Sequence, residues 1–90
     1  MKVVVVMMSK VLVNVYIPEV EEKYEAFIPV NKKINTITEL LKKSVNELSG
    51  GHYPLKEECL LYNRDNGKMY DINMIVKNTD IRNGTSVILM

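Results

Sequence analysis

His52, Glu57, Glu58 and Cys59 fall within eight residues of one another. Imidazole, carboxylate and thiolate are the groups that hold zinc or make a nucleophile and its base, so this stretch is where chemistry would be sought first. A structural zinc site takes four ligands, usually with paired spacing such as Cys-x2-Cys. The chain offers one Cys and one His in all. Cys59 as a nucleophile would need a base or a helix N-terminus to lower its pKa, and a loop containing Pro54 separates it from His52. A surface histidine and a strand cysteine filling core space account for both residues more simply. No metal, no cofactor and no catalytic residue are expected.

Three other groupings have equally plain readings. Gly50-Gly51 has the look of a phosphate loop, but it follows a helical pattern, where carbonyls rather than N–H groups point outward. It serves better as a helix C-cap. Lys32-Lys33 and Lys42-Lys43 could mark an electrostatic contact, yet acidic residues are interspersed around them, as on an ordinary solvated face. Asp65 and Asp71 flank an Asn-Gly turn. Two carboxylates without further oxygen ligands make a poor calcium loop, and turn propensity explains Asp65.

Composition narrows the classes further. Ninety residues hold one domain with one core. Apolar residues at 47% and charged residues at 26% are globular values. The net charge of +1 carries no basic stripe for nucleic acid or an anionic membrane surface. The apolar run Val3–Met8 is far shorter than the roughly 20 residues of a membrane span, and it lacks the cleavage site of a secretory signal. With a lone cysteine, stability has to come from packing, and a reducing compartment, the cytoplasm, is the expectation.

The elements that would position these groups follow from periodicity. Residues 10–18 alternate as a half-buried strand, with Val11, Val13, Val15 and Ile17 on one face and Leu12, Asn14 and Tyr16 on the other. After a short charged loop, Tyr24, Ala26, Ile28 and Val30 resume the alternation, with Glu25 and Phe27 opposite. Pro29 has no N–H for a ladder, which puts this second strand at a sheet edge. From Thr36 the period becomes helical, with Ile37, Leu40, Leu41, Val45 and Leu48 sharing a face. Thr36 and Glu39 have capping-box spacing, so a helix over Ile37–Ser49 is predicted, stopped by Gly50-Gly51. Cys59–Tyr62 reads as a third strand and Arg64–Lys68 as a tight turn with an Asn-Gly signal. Met69–Asp71 reads as a short fourth strand, Asn73–Asn78 as one helical turn, and Thr85–Met90 as the last strand. The class is α+β, a mixed sheet with one main helix packed on one face. If the last strand lies parallel to the first, the helix belongs to the crossover between them.

Over residues 10–90 this order and spacing resemble the ubiquitin-like (β-grasp) superfamily. The carrying features are the hairpin Lys10–Val30, the helix after Thr36, the turn Asp65-Asn66-Gly67-Lys68 and the ending Asp80–Met90. That ending, Ile81-Arg82-Asn83-Gly84-Thr85-Ser86-Val87-Ile88-Leu89, together with Val15-Tyr16-Ile17-Pro18 and Ile72–Lys77, looks like the YukD/EsaB-like ubiquitin-like proteins that accompany type VII (WXG-type) secretion systems of Gram-positive bacteria. The resemblance implies a β-grasp fold and a cytosolic accessory or regulatory role, with no catalytic residues to carry over. Residues 1–9 fall outside it, as an N-terminal extension or a lengthened first strand. The alternative, a ubiquitin-like modifier or sulphur carrier, needs a terminal Gly-Gly where this sequence reads Leu89-Met90.

One helix covers one face of such a sheet. Alternation places Leu12, Ile88 and Met90 on the other, joined by Leu61 if Tyr62 points inward. An exposed apolar cluster of Leu12, Leu61, Ile88 and Met90 is thus the expected protein-binding site, and ubiquitin-like domains commonly bind through this face. The expected partners are proteins, secretion-system components among them, with neither nucleic acid nor direct membrane insertion. Coverage by residues 3–8 or by a homodimer contact is the competing account of the same cluster.

Overall fold

The structure, a computed structural model, describes residues 9–51 and 58–90. Strands β1 (Lys10–Ile17) and β2 (Glu22–Pro29) form a hairpin, helix α1 (Ile34–Leu48) crosses back, and β3 (Leu61–Asn63) and β4 (Ser86–Leu89) complete a four-stranded sheet. The order across the sheet is β2-β1-β4-β3. The central pair β1 and β4 is parallel, in the register Asn14 to Ser86, Val15 to Val87 and Tyr16 to Ile88. The outer pairs are antiparallel. β2 lies at an edge, as Pro29 requires. This is the α+β, β-grasp arrangement expected from the strand order. The stretch Met69–Asp71 contributes an isolated bridge, Met69 to Tyr62, rather than a strand.

The core lies between the sheet and α1. Val13, Val15 and Ile17 from β1, Ile28 from β2, Leu61 from β3 and Val87 and Leu89 from β4 meet Ile34, Ile37, Leu41 and Val45 of the helix. Each such side chain withdrawn from water stabilises the fold by roughly 1.5–3 kcal/mol before the opposing loss of chain entropy. Leu40 and Leu48, placed by periodicity on the same helix face, are exposed. Leu40 sits on the flank of the stripe, and Leu48 falls in its last turn.

The helix begins at Ile34, two residues before Thr36, and the Thr36–Glu39 capping box does not form: the N-cap position is Lys33, with no side-chain cap. Instead, backbone carbonyls of the crossing segment take up the first-turn donors, Ile34 N–H giving to Met74 O at 2.9 Å and Asn35 N–H to Ile72 O at 3.0 Å. A helix start docked on neighbouring chain has its orphan N–H groups satisfied without any capping residue. At the other end Gly51 N–H reaches Asn46 O and Gly50 N–H reaches Glu47 O. This is a Schellman closure, with Gly50 at φ 67°. Among the described residues no helix is long and apolar enough to cross a membrane.

Candidate functional site

Two of the four residues proposed for chemistry lie among the described residues. Cys59 is buried in the core and Glu58 is exposed, while His52 and Glu57, the rest of that group, lie outside the described residues. Among the described residues no three His, Cys, Asp or Glu side chains gather closely enough to hold a metal ion. Lys42 sits 3.4 Å from Glu39 one helical turn away, with its side chain only 15% exposed, whereas Lys43 is exposed, as the solvated-face expectation has it. Residues 1–8 of the expected 1–9 extension also lie outside the described residues.

The sheet face turned away from α1 is built from every second residue of each strand. β1 supplies Lys10, Leu12, Asn14 and Tyr16. Directly opposite on β2 stand Pro29, Phe27, Glu25 and Lys23. β4 supplies Ser86 and Ile88, followed by Met90, and Tyr62 of β3 faces Ile88. Leu60 pairs with Met90 through both backbone hydrogen bonds, 2.8 and 3.1 Å. Described residues cover little of the two ends of this face: Phe27 is 67% exposed and Met90 47%.

Leu61 is not on this face. It is 1% exposed, opposite the equally buried Leu89, and Tyr62 takes the outward position. The expectation that Tyr62 points inward and Leu61 outward is therefore corrected. The run Cys59-Leu60-Leu61-Tyr62 is apolar at both parities, so alternation gave no direction. The direction is set by Asn63, whose carboxamide is buried and needs interior partners. Leu12 and Ile88 are half-buried and do not touch one patch: along the central strands the row of Asn14 and Ser86 separates them. At about 3.3 Å per residue this polar row sets Leu12 roughly 13 Å from the level of Ile88. What the structure brings together is a polar centre with an apolar group at either end, Phe27 with Leu12 and Ile88 with Tyr62.

The polar centre is a shallow hollow of about 660 Å³ bordered by Asn14, Tyr16, Lys23, Glu25, Arg64 and Ser86. Arg64 is anchored by its own N–H, which gives to Ser86 O at 3.0 Å. Its guanidinium lies over the Tyr16 ring, 4.6 Å from the centroid, a cation–π contact that holds the charge over this face. Alternation puts Tyr16 on this face, whereas the sequence alone reads Arg64 as the start of a tight turn. Its position two residues past an outward Tyr62 is the sequence signal that places it there.

A second constellation, beyond the reach of sequence reasoning, ties β3 to the later loops. Asn63 Nδ2 donates to the Tyr70 hydroxyl at 3.1 Å and to Asp80 Oδ2 at 3.2 Å. Asn63 Oδ1 accepts from the backbone N–H of Asp65 and Asn66. All four bonding positions of a buried carboxamide are thereby used. Tyr70 donates to Asp80 Oδ1 at 2.7 Å. Burial, and then this bond to Asp80, push the Tyr70 hydroxyl well above the usual tyrosine range. The arrangement holds the Asn-Gly turn in place.

No family model and no curated protein matches the sequence. Solved structures do match in shape. A chain of the MycP5-free ESX-5 inner membrane complex, in its State II, superposes with a TM-score of 0.75 at 21% identity over 90% of this chain, which spans only 20% of that one. The EccD5 ubiquitin-like domain from Mycobacterium xenopi gives a TM-score of 0.75 at 17% identity, covering 91% of this chain and 93% of the domain. A chain of the toluene 4-monooxygenase HD complex reaches 0.74 at 7% identity, over 90% of this chain and 96% of that one. One architecture thus accompanies unrelated activities, as function resides in sites carried on folds. At these identities the likeness speaks to architecture alone, and that architecture is the ubiquitin-like β-grasp fold.

Proposed function

We propose that this chain is a non-catalytic, ubiquitin-like protein-binding module that docks a partner on its open sheet face, as a cytosolic accessory component of a type VII secretion system. The observation that carries the reading is the face itself. Phe27 and Met90 are exposed at its two ends, and Arg64 is held over the Tyr16 ring between them. Apolar side chains left exposed around an organised polar centre are the makings of a protein interface. The shape likeness to the EccD5 ubiquitin-like domain and to a chain of an ESX-5 membrane complex supports the secretion setting, as does the ending Ile81–Leu89.

The test is a secretion assay in the source organism combined with a binding map. Deleting the gene should lower export of WXG-type substrates, and Phe27→Ser should reproduce that loss while the purified domain keeps its thermal midpoint. Surface substitutions of this kind change stability by about 0.5 kcal/mol or less. Unchanged export in the deletion strain would remove the secretion role. A partner whose contact shifts the amide signals of Lys43 and Glu47 on α1, leaving Tyr16 and Ile88 unmoved, would remove the sheet face.

A further inference from the structure

Resting on that reading of the sheet face, we propose that the hollow over Tyr16 receives an aspartate or glutamate side chain from a partner segment, with the apolar residues flanking it packed on Ile88 and Tyr62. The charge on the face is lopsided. Lys10, Lys23 and Arg64 share it with one carboxylate, Glu25, and neither Lys23 nor Arg64 forms a salt bridge among the described residues. Tyr16 stands directly opposite Lys23 in the β1–β2 register and lies beneath the guanidinium of Arg64, so the two cations border one ring from two sides.

Cation–π contact engages the guanidinium through its charge and makes no demand on its N–H donors. Those donors match the two oxygens of a carboxylate. A charge already ordered by the ring and by the Arg64 to Ser86 backbone bond loses little freedom on binding, which is the condition for a strong contact at a wet surface. Asn14, which spends one donor weakly on Gly84 O at 3.4 Å, and the Ser86 hydroxyl line the same hollow. The apolar neighbours make a free anion the poorer fit: Ile88 and Tyr62 beside the hollow gain only from an occupant that carries carbon as well as charge.

A random-peptide library displayed on beads and panned against the full chain tests this. Enriched peptides should carry Asp or Glu next to Leu, Ile or Phe, and should shift the amide signals of Tyr16, Lys23, Arg64 and Ser86. Changing that acid to Asn or Gln, or Arg64→Gln in the protein, should weaken binding at least about tenfold, as expected for a charge-assisted pair. Arg64→Lys should fall between, because it keeps the charge and loses the fork. Each variant's amide spectrum shows whether it is folded. Peptides that bind this face yet tolerate loss of the acid overturn the acid preference while leaving the sheet-face reading intact. Peptides that enrich without acid and map to α1 overturn both. A library that yields nothing, while phosphatidylserine vesicles retain the chain, overturns the protein-segment occupant.

Discussion

The Tyr70 hydroxyl lies 2.7 Å from Asp80 Oδ1 and donates to it, while Asn63 donates to both partners from the end of β3. Three side chains from three separate stretches are thereby locked at one corner of the sheet. Asn63 is buried beneath this lock, so the bonds are made in a medium where leaving one unmade costs about 1–3 kcal/mol.

That lock makes stability depend on alkaline pH. Burial and the Asp80 bond raise the Tyr70 pKa in the folded chain, against an ordinary value of 10.0. Once pH passes that ordinary value, the unfolded chain releases the phenolic proton while the folded chain retains it. The unfolded state then binds fewer protons, and stability falls as pH rises. Below pH 10 the contribution is intact, and Tyr70→Phe should cost about 0.5–1.5 kcal/mol there. Urea midpoints of the two proteins should converge above pH 10. A gap that stays constant across that range would show that the hydroxyl contributes no such linkage.

Leu61 and Ile88 separate the two faces experimentally. Leu61→Ala removes a fully buried side chain and should cost about 2–5 kcal/mol, whereas Ile88→Ala on the open face should cost much less. Denaturant unfolding of both variants decides it, and equal losses would mean that the open face is covered.

Of the two ends of α1, only the C-terminal one should respond as capping rules suggest. Gly50→Ala forces a Cβ into the left-handed region and should cost about 1–2 kcal/mol. Thr36→Ala should change little, since no cap bond involves it. A thermal midpoint that drops more for Thr36→Ala than for Gly50→Ala would restore the capping box and contradict the docked helix start.

Asn83 Oδ1 accepts the N–H of Leu12 at 2.8 Å, beyond the last rung of the β1–β4 ladder. Asn83→Ala should cost about 1 kcal/mol and speed hydrogen exchange at the Leu12 amide more than at Val13. Unchanged exchange at Leu12 would mean that water replaces the carboxamide without loss.

The legible parts of this molecule are those in which one residue type does one job locally. Strict alternation in β1 gave its inner face, Pro29 its partner's edge position, and Gly50-Gly51 the end of the helix. What stayed hidden depends on distant chain. Ile34 begins the helix because the carbonyls of Ile72 and Met74 wait for its first turn, and nothing near Ile34 in sequence announces them. Leu60-Leu61 offers apolar residues to both faces, and only the long-range pairing of Asn63 with Asp80 decides between them. The same holds for the candidate site: the open face was legible as a face, whereas the Arg64 stack on Tyr16 joins residues that no local pattern relates.

The parallel pairing of β1 with β4 has a consequence for synthesis. Leu12 and Asn83, which close the start of that pair, are 71 residues apart in sequence. As the chain leaves the ribosome, the hairpin and helix form by local contacts while the inner edge of β1 waits, its donors and acceptors bare, until β4 emerges. Contacts this remote slow folding, and an unpaired apolar strand edge is open to wrong partners in the interval. Nascent chains stalled before Ser86 should therefore be the form most dependent on chaperones.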